Sequence, residues 1–346
     1  MATRKIRIIK PETTESKIDN QIFEYLQKMQ EIKSGQAVIP KPSSLRVSTI
    51  SAKCRLTGEI NIEELNNLLK PRINKYIINQ EKPDYLVQGI QYGPEVTGMF
   101  KKIGKKLKNI QDKIDKNDKK NVDFYNQCTL LLYSDYNNNI INLKLFCNGS
   151  ITMTGCKDEN DGQYVVNKLI EEFIDHKAVF NYDDDQKDIS MDGFKITMIN
   201  SDYFIGFRID LIKLEYILSN QYSLFFSYDP KIYAAVKISF LWNENNKVNN
   251  GLCTCSKKCV VSTKKQVKRY NKCSIITVAI FNSGKIIITG SNDMKKTRDA
   301  YNYINSILRD NYTTVAKFSI HDCIKPKVRS NCLGRPRKSV VIKKDT

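Results

Sequence analysis

Phe146-Cys-Asn-Gly-Ser-Ile-Thr-Met-Thr-Gly155 recurs in the second half of the chain as Phe281-Asn-Ser-Gly-Lys-Ile-Ile-Ile-Thr-Gly290. A repeated segment of this kind fixes an architecture before any single motif does, because each copy is one supersecondary unit. An alternating strand precedes each copy, INLKLF in the first and ITVAIF in the second. A polar helix start and an amphipathic helix follow, carrying Val165, Val166, Leu169, Ile170 and Phe173 in one case and Tyr303, Ile304, Ile307 and Leu308 in the other. The unit is therefore strand, Gly turn, strand, Gly, helix, twice.

Side chains alternate between the two faces of a strand. Leu143, Leu145, Ile151 and Met153 share the face that the helices should cover, and Lys144, Phe146, Thr152 and Thr154 share the other. In the second copy Val278, Ile280, Ile286 and Ile288 are covered; Thr277, Ala279, Phe281, Lys285, Ile287 and Thr289 are not. A solvated sheet face would carry charge where this one carries threonine, aliphatics and phenylalanine, so the open face needs a partner.

Upstream, each half adds a strand and a helix: LRVSTISAKC then INIEELNNLL, and FKITMINSDYFIGFRI then DLIKLEYIL. The expected organisation is an N-terminal arm over 1–40, a first repeat over 41–192, a second repeat over 193–318 and a basic tail over 319–346. The arm holds an amphipathic stretch at Ile22, Phe23, Leu26 and Met29. Two insertions are expected, at about 76–122 and about 243–272. The first places Phe100, Ile103, Leu107, Ile110 and Ile114 at helical spacing among lysines. An acidic run, Asp183 to Asp185 with Asp188, reads as a solvated linker between the repeats.

The formal net charge of +19 makes a polyanion the expected partner, since lysine and arginine displace counterions from phosphates. There is no apolar run long enough to span a bilayer, and the start MATRKIRIIKPETTES lacks the apolar core of a secretion signal. An intracellular, reducing location without a membrane is expected; Cys54, Cys128, Cys147 and Cys156 fall in strands or at strand ends, as reduced core thiols do.

FxSGKIxxTG before a helix, SYDPKIYAAV from Ser227 and VSTISAKCRL from Val47 resemble segments of the TATA-box-binding protein family, over roughly 43–178 and 193–312. The long insertions and basic ends resemble the divergent members found in large DNA viruses. The resemblance implies an α+β saddle: two pseudo-symmetric repeats forming one curved antiparallel sheet of ten strands, helices on the convex side and DNA on the concave side. The family is a known case of minor-groove binding in which apolar wedges unstack base steps. Its wedge positions match Tyr125 and Phe146 in the first repeat and Tyr233 and Phe281 in the second. Its groove-floor positions match Val47, Thr152 and Thr154, and then Thr277, Ala279, Ile287 and Thr289. The family's two central asparagines align with Leu45 and Met198, with Asn200 two residues further on, so strict TATA preference is expected to relax. Lys144 and Lys285 are the expected phosphate contacts; Asp229 and Lys231 mark the surface that the family offers to a factor bridging to the polymerase.

What the resemblance implies is a transcription initiation factor for AT-rich double-stranded DNA, working with a transcription factor IIB-like protein and RNA polymerase in a nucleus, a viral factory or a virion. The alternative is an architectural DNA-bending protein without promoter preference. An enzyme is disfavoured: His176 and His321 are the two histidines, and no nucleophile, base and orienter assemble by spacing. No cofactor is required. Cys253, Cys255, Cys259 and Cys273 have the spacing C-x-C-x3-C-x13-C, which reads either as a structural zinc site or as free thiols, with Cys323 and Cys332 as substitutes. The tail segment Gly334 to Lys338 reads as a polybasic tail or as an AT-hook core, with Leu333 where an arginine is usual.

Overall fold

The computed structural model describes residues 38–79, 86–98, 125–176, 178–180, 189–257, 259 and 272–317, with isolated helical positions between 23 and 31. The lysine-rich stretch at 100–114, the acidic run at 183–188, most of the arm and the tail from 318 lie outside the described residues.

The first repeat contains β1 (Arg46–Leu56), α1 (Ile62–Asn79), β2 (Val87–Tyr92), β3 (Glu95–Gly98), β4 (Gln127–Ser134), β5 (Asn139–Phe146), β6 (Ser150–Cys156) and α2 (Glu159–Phe173). The second contains β7 (Met191–Phe204), β8 (Arg208–Ile209), α3 (Leu211–Gln221), β9 (Phe225–Asp229), β10 (Tyr233–Trp242), β11 (Ser274–Phe281), β12 (Lys285–Ser291), α4 (Met294–Asp310), α5 (Tyr312–Val315) and β13 (Ala316–Lys317). Eleven strands form one antiparallel sheet in the order β3-β2-β4-β5-β6-β1-β7-β12-β11-β10-β9. From the β1–β7 junction outward, β1, β6, β5, β4 and β2 on one side mirror β7, β12, β11, β10 and β9 on the other. The fold is thus the two-repeat α+β saddle.

Two expectations change. The sheet has an eleventh strand, β3, added at the edge of the first repeat. Residues 87–98 also belong to the sheet rather than to an insertion, because β2 pairs with β4 as β9 pairs with β10.

The repeated motif folds alike in both copies for local reasons. Gly149 and Gly284 turn with φ of 78° and 84°, a region that L side chains rarely adopt. A Cβ on Gly149 would stand 2.6 Å from the Leu56 carbonyl oxygen, and one on Gly284 would stand 2.0 Å from that of Phe207. Each helix starts on an aspartate three residues past the second glycine: Asp158 accepts from the Asp161 N–H and Asp293 from the Lys295 N–H. Helices α2 and α4 then bury their apolar stripes against the sheet face that carries Leu143, Leu145, Ile151 and Met153, or Val278, Ile280, Ile286 and Ile288. All the helix-packed core lies on this one side, in two clusters, one per repeat. No described helix is long and apolar enough to cross a membrane.

Candidate nucleic-acid interface

The face opposite the helices is built from the other set of alternating side chains. Thr152 and Thr154 on β6 are exposed between buried Ile151, Met153 and Cys156. Thr277 and Phe281 on β11 and Ile287 and Thr289 on β12 are half-buried on the same side, and register partners tie them together: Thr277 with Thr289, Ala279 with Ile287. Ala279 is buried, flanked in register by Ile287 and Lys237. Lys144 stands exposed on β5 between Thr129 and Thr152.

The four aromatic residues fall at equivalent positions. Phe146 ends β5 opposite Gln127, and Phe281 ends β11 opposite Ala235. Tyr125 and Tyr233 each lie two residues before those partners. In the second repeat the pair is in contact, Tyr233 edge-on to Phe281 with centroids 5.7 Å apart, and Lys237 Nζ lies 4.1 Å from the Tyr233 centroid. In the first, Tyr125 is 57% exposed and its ring meets Tyr92 on β2 at 5.6 Å.

The central strands depart from the sequence reading. Met198 and Asn200 alternate with buried Ile199 and Ser201, so both face the open side as expected. Leu45 and Val47 do not. The β1–β7 ladder slips between Val47 and Thr49, which sets Val47 opposite buried Ser201 and Thr49 opposite Asn200. Val47 accordingly packs on the first core and Leu45 on the second. A one-residue slip exchanges the faces of a strand, so Thr49 and Arg46 take the open-side places.

Arg46 is opposite Asp202, which alternates between buried Ser201 and Tyr203 and therefore faces the open side. The guanidinium grips the carboxylate with Nε–Oδ1 3.1 Å, Nη2–Oδ1 2.9 Å and Nη2–Oδ2 2.8 Å. Lys285 Nζ approaches the same carboxylate at 3.8 Å. Sequence reasoning missed this cluster; the ion pair spans β1 and β7, and only their pairing brings it together.

At the β9–β10 turn the exposed Asp229 carboxylate accepts from the Lys231 backbone N–H at 3.0 Å, and Ile232 beside them is 82% exposed.

The four cysteines converge, with all Sγ atoms within 4.8 Å of one another. They pack on Leu241 and Ile275, register partners on the open side at the far end of the β10–β11 pair from Phe281. Sulfurs held at about 2.3 Å from a tetrahedral zinc stand about 3.8 Å apart; Cys255 and Cys273 are 3.7 Å apart, Cys255 and Cys259 3.9 Å. The Cys259 N–H donates to Cys253 Sγ at 3.3 Å, and Asn243 Nδ2 donates to Cys255 Sγ at 3.3 Å and Cys273 Sγ at 3.7 Å. Burial pushes the Cys253 thiol up, but hydrogen bonds from Cys259 and Cys255 outweigh it and bring it to about 6, while burial holds the Cys255 and Cys273 thiols up. The donor set and spacing could hold a thiophilic ion.

A two-repeat saddle with an aromatic-flanked open sheet is the class that fold and site define. A family model described as "Transcription factor TFIID (or TATA-binding protein, TBP)" matches residues 194–311. The chain is 30% identical over 201 residues to the "TATA-box-binding protein-like" protein of Acanthamoeba polyphaga mimivirus, covering 56% of this chain and 50% of that one. It is 24% identical over 214 residues to "Uncharacterized protein 335L" of Invertebrate iridescent virus 6, covering 55% of this chain and 63% of that one. The matched part thus spans between half and two thirds of these curated relatives. Methanococcus jannaschii TBP superposes with a TM-score of 0.41 at 13% identity, over 78% of this chain and 99% of that one. The second repeat of the chain thus matches the TBP family model, and the chain is similar to a TATA-box-binding protein-like protein of a large DNA virus.

Proposed function

We propose that this protein is a non-enzymatic transcription initiation factor that binds duplex DNA on the open sheet face and bends it through the minor groove. The observation that carries the reading is the matched register of the two aromatic pairs, Tyr125 with Phe146 and Tyr233 with Phe281, at the outer ends of one open face. Aromatic wedges at two separated points can unstack two base steps, and an apolar floor between them replaces groove water. Lys144 and Lys285 supply phosphate contacts, and the net charge of +19 adds long-range attraction. The two tyrosines bring hydroxyls that must stay wet or find a partner, so their insertion is shallower than that of Phe146 and Phe281. The Asp229–Ile232 turn is the proposed docking surface for a transcription factor IIB-like protein that recruits RNA polymerase. The four-cysteine cluster is proposed to carry a structural zinc ion, which ties residues 253–259 to the start of β11.

The test is end-to-end energy transfer in a doubly labelled AT-rich duplex near physiological salt, beside a GC-rich duplex and a Phe146→Ala, Phe281→Ala double variant. Bending of the AT-rich duplex by wild type, lost in the double variant, is expected. Equal bending of both duplexes would make the protein an architectural bender, and binding without a bend in either would overturn the wedge assignment.

A further inference from the structure

We propose that Arg46, oriented by Asp202, is the donor through which this protein reads acceptors on the minor-groove floor near the middle of its site. The inference rests on the minor-groove reading above. An A·T pair shows only the adenine N3 and thymine O2 acceptors in that groove, whereas a G·C pair adds the guanine amino donor. A face that discriminates there must place hydrogen-bond donors against the floor. Along the junction of β1 and β7, Met198 has none to give and Leu45 is turned into the second core, which leaves Thr49, Asn200 and Arg46 as open-side donors. Of these, Arg46 is the one held in place by a carboxylate fork. The slip in the β1–β7 ladder that turns Leu45 and Val47 inward brings Arg46 to the open side.

The geometry makes Arg46 a prepared donor rather than a loose side chain. Asp202 is held from Nε and Nη2 together, a fork that fixes the plane of the guanidinium. The Asp202 side chain is 16% exposed and that of Arg46 is 51% exposed, so the carboxylate is covered while the guanidinium edge reaches the open face. Pre-ordering a long side chain removes part of the entropy lost when it meets a ligand. A lone carboxylate on a DNA-facing sheet would repel the groove, whose negative potential attracts arginine; Arg46 and Lys285 together outweigh that charge. When the repeats are aligned through VSTISAKC and NSDYFIGF, the residue equivalent to Asp202 is Thr49. The device therefore exists in one half only and gives the protein a direction on DNA.

The experiment titrates wild type, Arg46→Ala, Arg46→Gln and Asp202→Asn against AT-rich duplexes in which one A·T pair at a time becomes G·C or I·C; inosine lacks the guanine amino group. For wild type, G·C at a step on one side of the centre is expected to weaken binding roughly tenfold, and I·C is expected to restore it. Arg46→Ala should lose that discrimination at that step alone and keep it elsewhere. Asp202 is a positioning residue, so Asp202→Asn should reduce the same discrimination while leaving the melting temperature near that of wild type. Arg46→Gln retains an amide at similar reach and reports on the step even where the alanine variant folds poorly. Full discrimination in both Arg46 variants would overturn the proposal. Failure of wild type to bind any of these duplexes, or binding indifferent to Phe281→Ala, would instead overturn the reading beneath it.

Discussion

Cys54, Cys128 and Cys156 belong to the first core, and burial pushes each thiol up to about 12, with Asp161 adding to the effect at Cys156. Cys147, by contrast, is exposed in the Gly149 turn. Brief treatment of the native protein with iodoacetamide at pH 8 should therefore label Cys147 and leave the other three unmodified, as read by peptide mass spectrometry. The linkage has a definite sign. Thiols of the unfolded chain ionise near 9.0, while the folded ones keep their protons to about 12. Their contribution to stability is complete below pH 9 and is lost as pH rises toward 12, so the urea midpoint should fall between pH 8 and pH 10.5. Strand alternation assigns Cys54 and Cys128 to the same side as their apolar neighbours, but it would set Cys156 with exposed Thr152 and Thr154. Gly155, at φ 106°, interrupts the alternation before Cys156, which is buried, and Cys147, expected in the core with the other three, is exposed. The places of Leu45 and Val47 could not be read from the sequence. Their strand pattern predicts the open face, and the slip that reverses it is a property of the paired strands.

At the level of elements, the Gly turns needed no tertiary information: the backbone at Gly149 and Gly284 admits no side chain, and the motif announces both turns. The connection between β10 and β11 is different. Its spacing left both zinc and free thiols open, and the convergence of four sulfurs on Leu241 and Ile275 is compatible with the metal proposed above. Elemental analysis of protein purified without added metal should give one zinc per chain. Asn243 donates to two of the sulfurs, and removal of such outer hydrogen bonds typically weakens metal sites about 10- to 100-fold. Asn243→Ala should accordingly lose zinc to a competing chelator at least tenfold more readily than wild type. Four thiols that react freely with Ellman's reagent in the native protein, with no zinc released, would exclude the site.

In the whole molecule the two repeats share one sheet, joined at β1 and β7, where buried Ile50 faces buried Ile199. This joint predicts one cooperative unit rather than two. Trp242, the chain's one tryptophan, ends β10 in the second repeat, so its fluorescence reports that half alone while far-ultraviolet circular dichroism reports both. Their urea transitions should coincide in wild type. Ile50→Ala leaves a cavity costing about 2–5 kcal/mol and should shift both curves together, although Ile50 itself belongs to the first repeat. Separate transitions would show that the halves fold independently.

The sequence by itself determined the repeat, the two faces of its strands, the glycine turns and the amphipathic helices, because each follows from local backbone sterics and from the period of apolar residues. Tertiary structure decided which residues meet across paired strands. The added edge strand, the slip that turns Leu45 and Val47 inward, the Arg46–Asp202 pair and the gathering of four cysteines all join residues distant in sequence. Register between strands is set by the packing of the whole sheet, and no window of one strand contains it.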